Sequence, residues 1–246
     1  MSTNESVADA ASSKNMNEKG ASEAPKKDNF SYLDHIRHLL SNEPALDHLH
    51  LHGGVDYWFL NNIEAMQRDA VEARDHGNLQ VVRQQIANIL YYLDGKCAPQ
   101  DLSNAPGSTL PENATIAHDT SIGLLDCPQV PEPPGHLTHM QRHLSGIVQS
   151  PGANAEQIKQ AAQINQYLNY IGSWLLQVRT DAMQLANMDD AQLSHAHALR
   201  SDMAVQAGYL VSGRMDPTTH TAEPGAQQIT NDIELLASFD IKAYKA

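Results

Sequence analysis

The chain has 246 residues, 41% hydrophobic, 5% aromatic and 18% charged, with 29 acidic against 16 basic residues and a formal charge of −13. That apolar share excludes wholesale disorder, and no run approaches the ~18–20 apolar residues that cross a bilayer. The acidity argues against a nucleic-acid partner, because grip on a phosphate backbone needs clustered Lys and Arg.

Residues 1–29 carry almost no large apolar side chain, and the composition predicts a disordered polar tail. It lacks the ~7–15-residue apolar stretch of a secretory leader, so the expected location is cytoplasmic. Its charges nearly balance, which leaves the acidity with the folded part, where it favours solubility and repels anionic membranes. A short helix is predicted from Tyr32 to Ser41. Gly53-Gly54 then precedes a helix from Val55 to His76, with Trp58, Phe59, Ile63, Met66, Ala70 and Ala73 on one side. Across Gly77-Asn78 the stripe returns as Leu79, Val82, Ile86, Ile89 and Leu93, closing at Gly95. An irregular loop, Cys97–Asn113, leads to a short helix around Ile122–Leu125, flanked by Asp119 and Asp126. The Pro-rich stretch 127–135 reads as a joint.

The second half follows the same order. A short helix runs from Leu137 to Val148 and Pro151-Gly152 ends it. Asn154 is the cap of a long helix over 155–188, whose Ala161, Ile164, Leu168, Ile171, Leu175, Val178, Ala182 and Leu185 alternate spacings of three and four. Asp189 and Asp190 mark a turn. One return helix carries Leu193, Ala196, Leu199, Met203, Ala207 and Leu210 up to Ser212-Gly213. A loop, Arg214–Gly225, and a last helix containing Ile233–Leu236 complete the chain. Strand signals are nearly absent, so the fold class is all-α.

The halves resemble each other. Ala65-Met66-Gln67, Arg83, Ala87 and Tyr92-Leu93 recur at one offset as Ala182-Met183-Gln184, Arg200, Ala204 and Tyr209-Leu210. With shifted offsets, Trp58 aligns with Trp174, and Arg37-His38-Leu39 with Arg142-His143-Leu144. The expected architecture is two tandem pseudo-repeats of a helical hairpin, 30–126 and 136–246, packed as one four-helix bundle with accessory helices. Trp58 with Tyr92, and Trp174 with Tyr209, are expected as equivalent core anchors.

Cys97 and Cys127 leave two readings. A disulfide would close a long loop and stabilise by about 3 kcal/mol. A reduced pair suits the cytoplasm and is the expectation here. No CxxC is present, so a zinc ribbon is excluded.

Histidine is the overused type, with 13 copies. His136, His139 and His143 lie roughly on one helix face. His35 and His38 lie on the equivalent helix of the first half. If the halves pack about a pseudo-twofold axis, His38, His139 and His143 meet. Imidazoles so gathered suit Zn, Cu, Ni or Fe, with Asp34 as the carboxylate. The bland alternative makes His136, His139 and His143 half-exposed border residues beside the core stripe Leu137, Met140, Leu144 and Ile147. The run His48–Gly54 reads as a capped turn entering the next helix rather than a metal clip. Glu72 and His76 read as an ion pair on a helix. Glu-x-x-His pairs of ferritin-like di-iron proteins are absent, as are the common nucleotide, hydrolase and zincin motifs. The leading expectation is therefore a non-enzymatic bundle that binds a partner or self-associates. The competing one is a His-based transition-metal protein with its site between the repeats.

Overall fold

The computed structural model describes residues 30–47, 49–98 and 121–238, and these are mostly helical. The expectations for the tail 1–29, for most of the Cys97–Asn113 loop, and for His48 and Asp119 lie outside the described residues.

Local chemistry starts most of the helices. Ser31 caps α1 (Tyr32–Leu40) in a capping box with Asp34. Glu43 precedes the single turn α2 (Pro44–Asp47), which has Pro at its first position. After a turn, α3 (Val55–Asp75) begins at Gly54, where a Cβ would stand 2.1 Å from the Leu39 carbonyl oxygen. Asn78 caps α4 (Leu79–Asp94) through Gln80 N–H. Beyond the Pro-rich stretch 127–135 come α5 (His136–Gln149) and α6 (Ala155–Ala186), the latter opened by an Asn154–Gln157 capping box. Then follow α7 (Asp190–His195), capped by Asp189, α8 (His197–Ser212) and α9 (Ala226–Leu236).

The apolar stripes meet as periodicity requires. Phe59, Ile63 and Met66 of α3, Val82 and Leu90 of α4, Leu168, Leu175 and Val178 of α6, and Met203 and Leu210 of α8 are all fully buried. Each large side chain so buried contributes roughly 1.5–3 kcal/mol. Helix α3 packs on α4 and α8, and α6 packs on α8 and α4, forming the central layer. Helices α1, α5 and α9 gather near the starts of α3 and α6. Helix α5 lies on α6, α1 lies on α5 and α3, and α9 lies on α6 and α3. Tyr32 on α1 ties this group together by donating its hydroxyl to the Leu236 carbonyl and accepting from Gln157 Nε2.

Several expectations are corrected. Residues 190–212 form two helices, not one: at Ala196 (φ −82°, ψ 32°) the chain turns, so Leu193 is buried near α4 while α8 aligns with α3. Residues 121–126 are not helical. Their backbone is committed elsewhere, with Leu124 and Leu125 N–H donating to Tyr92 and Leu93 carbonyls, and Gly123 and Leu124 carbonyls accepting from His136 and Leu137. The loop after α8 contains a small antiparallel ladder, β1 (Arg214–Met215) with β2 (Ala222–Glu223). Cys97 and Cys127 are bridged, contrary to the reduced pair expected. That bridge holds 121–126 near the end of α4. Glu72 does not pair with His76: it accepts from Gln85 Nε2, while His76 Nδ1 accepts from Asn78 N–H. The tryptophans are not equivalent. Trp174 is buried against Tyr209 beneath the Arg214 guanidinium, whereas Trp58 is partly exposed, edge-on to Tyr57, and donates to the His52 carbonyl.

Two arginines and two glycines make contacts of similar kind. Arg83 on α4 donates to the Met188 carbonyl just past α6, and Arg200 on α8 donates to the Ala73 and His76 carbonyls at the end of α3. Gly95 and Gly213 both end a return helix with positive φ. Their added Cβ atoms would meet Gly123 N at 2.5 Å and Gly225 N at 2.7 Å respectively.

Candidate metal centre

Helices α1 and α5 carry the five histidines singled out from the sequence, and they pack against each other. The group that organises them is one the sequence reading missed, Glu43. Its Oε1 accepts from Ala45 N–H at 3.0 Å, which fixes the side chain against the first turn of α2. Its Oε2 is thereby aimed at the histidines. His143 Nε2 lies 2.9 Å from that oxygen, His38 Nδ1 3.3 Å and His139 Nε2 3.5 Å. The side chains of all four residues are at most 12% exposed.

One carboxylate oxygen thus faces three imidazole nitrogens. The ligand atoms of His38, Glu43 and His143 lie within 4.8 Å of one another, and His139 reaches the same oxygen from outside that trio. With metal–ligand bonds of about 2.0–2.1 Å, the edge of a tetrahedron around zinc is about 3.4 Å. The carboxylate–imidazole separations straddle that length. His38 Nδ1, although 3.3 Å from Glu43 Oε2, makes no hydrogen bond.

The protonation states also suit a cation. Burial alone would raise the Glu43 carboxyl, but the hydrogen bonds from His139, His143 and the Ala45 N–H outweigh it and hold the group far below the usual carboxylate range. Burial pushes the His38 imidazole down, against the pull of Glu43. An anionic carboxylate beside a neutral imidazole is the state a divalent transition metal requires.

His35 and His136 take different places. His35 stands behind His143, with the two Nδ1 atoms 3.2 Å apart. Its ring lies over Gly146, where a Cβ would come within 2.2 Å of the imidazole. Phe30 covers His35 and His38 edge-on. His136 is fully buried in the first turn of α5, and neither ring nitrogen has a hydrogen-bond partner. Burial, helped by His139, pushes it down to about 3.

Asp34, the carboxylate suggested by sequence, is turned away. It is half-exposed, its Oδ2 accepts from both the N–H and the hydroxyl of Ser31, and its Oδ1 faces Arg37 at 3.6 Å. Burial and proximity could not be read from the sequence for Glu43, but one signal was present: an acidic residue before a Pro-initiated turn, five positions after His38. The His48–Gly54 run forms a turn among its described residues, with His50 at positive φ and the exposed His52 near Asp47. Asp126 behaves as a cap, accepting from Gly135 N–H and Thr138 Oγ1 at the start of α5.

Compared with family models, with curated proteins and with solved structures, the chain matches none.

Proposed function

We propose that this protein is a non-enzymatic helical bundle that binds a transition metal, held by His38, Glu43 and His143 with His139 as the adjoining donor. The observation that carries the reading is the convergence of three buried imidazole nitrogens on Glu43 Oε2. Imidazole and carboxylate donors suit Zn, Cu, Ni or Fe, and Zn best fits the compact set. The low exposure of the donors, with Phe30 over two of the rings, favours holding a metal over turning over a substrate. Storage or sensing are the roles such a closed site serves.

We further propose that the two halves arose by duplication, so that α1 and α5 are counterparts and the metal joins them. The reciprocal reach of Arg83 and Arg200 and the paired Gly95/Gly123 and Gly213/Gly225 approaches support this. The unequal tryptophans count against it. The Cys97–Cys127 bridge supports an oxidising compartment rather than the cytoplasm expected from sequence. No described helix is long and apolar enough to cross a membrane. Partner binding or self-association has weaker support, because the exposed large apolar residues, Leu33, Tyr57, Val148, Leu176, Val205 and Leu235 among them, are spread over six helices.

The test is metal analysis of untagged protein incubated with Zn, Cu, Ni or Fe salts and then desalted. About one metal per chain is expected for the wild type, and far less for Glu43→Gln and His143→Ala. A metal-free wild type, or binding unchanged in a His38→Ala/His143→Ala double variant, overturns the reading.

A further inference from the structure

Resting on the metal reading, we infer that His35 is a positioning residue that sets which nitrogen of His143 is offered to the ion. The His35 ring has little room to move: it is 1% exposed, stacked over the bare backbone of Gly146 and met edge-on by Phe30. Its Nδ1 is 3.2 Å from His143 Nδ1, so one of the two nitrogens carries a hydrogen and the other accepts it.

The orientation of that hydrogen differs between the two states of the site. Without metal, His143 Nε2 faces the anionic Glu43 Oε2 at 2.9 Å. A carboxylate only accepts, so Nε2 bears the hydrogen, and Nδ1 of His143 accepts from His35 Nδ1–H. With an ion on Nε2, neutral His143 bears its hydrogen on Nδ1 and donates to His35 Nδ1. The hydrogen between the rings passes from His35 to His143, His143 gives up its Nε2 hydrogen, and His35 gains one on its own Nε2. The pair keeps the same number of protons throughout. His35 can serve as donor in one state and acceptor in the other, which a backbone carbonyl could not. Outer partners that fix the tautomer of a ligating histidine typically govern metal affinity by about 10–100-fold.

The experiment compares wild type, His35→Phe and His35→Asn. Zinc affinity is measured by competition with a chromophoric chelator, and the His143 tautomer by nitrogen-15 imidazole spectra of the metal-free and zinc-loaded wild type. Phe keeps the packing over Gly146 and is expected to weaken zinc binding about 10–100-fold. Asn, whose amide can donate or accept, is expected to recover most of that loss. The spectra are expected to show His143 changing from the Nε2–H to the Nδ1–H form when zinc binds. Equal affinity in His35→Phe, or an Nδ1–H form already present without metal, overturns the inference while leaving the metal site standing. A wild type that binds no zinc, copper, nickel or iron overturns both. If His35→Phe does not fold, the wild-type spectra decide.

Discussion

His136 offers a measurement that does not depend on any ligand. Its imidazole is fully buried at the first turn of α5, with the helix N-terminus and His139 both opposing a positive charge. The folded-state value is about 3, against about 6.5 for an unfolded histidine. Between those two pH values the unfolded chain binds the extra proton, so stability rises with pH. The contribution is fully present above about pH 6.5 and is lost as pH falls towards the folded value. At pH 5, some 1.5 units below the unfolded value, the loss is about 2 kcal/mol at roughly 1.4 kcal/mol per unit. Replacing His136 with Leu removes the titration at similar volume. Urea unfolding of both proteins, in chelator, at pH 7.5 and pH 5 gives the difference directly. The wild type is expected to lose about 2 kcal/mol more than His136→Leu, near 1 M in urea midpoint. Glu43 acts in a lower window, since a depressed carboxyl contributes stability above about pH 4.3 and loses it below. Parallel pH dependence for the two proteins would refute the argument that His136 is held neutral by burial.

Other outcomes follow from single contacts. Gly146→Ala places a Cβ on the His35 imidazole, and is expected to cost about 1–3 kcal/mol, read as a lower melting temperature in chelator. Reducing the Cys97–Cys127 bridge frees a loop with a separation of 30 residues, and is expected to lower stability by about 3–4 kcal/mol in denaturant titrations with and without reductant. Arg200→Met removes a buried cation from the carbonyls ending α3. It is expected to cost about 1.5–3 kcal/mol, more than Arg83→Met, whose partner Asp190 is exposed. Equal melting shifts for the two arginine variants would refute that ordering.

Sequence alone determined α1, α3, α4, α5 and α6, because their signals are local. A stripe such as Ile164–Leu168–Ile171–Leu175 has only one way to be buried, and Asn154 or Ser31 satisfies N–H groups within its own turn. It also placed His38, His139 and His143 on helices able to meet. Tertiary structure decided what depends on neighbours distant in the chain. Glu43 became the hub because its hydrogen bond to the first turn of α2 turns its carboxylate towards α5, whereas Asp34 was consumed by its own cap. The pairing of Cys97 with Cys127, the turn at Ala196 and the differing fates of Trp58 and Trp174 are likewise set by packing. Periodicity tells which side of a helix is buried. It carries no information on which other side it is buried against, and the chemistry of a site lies in that second choice.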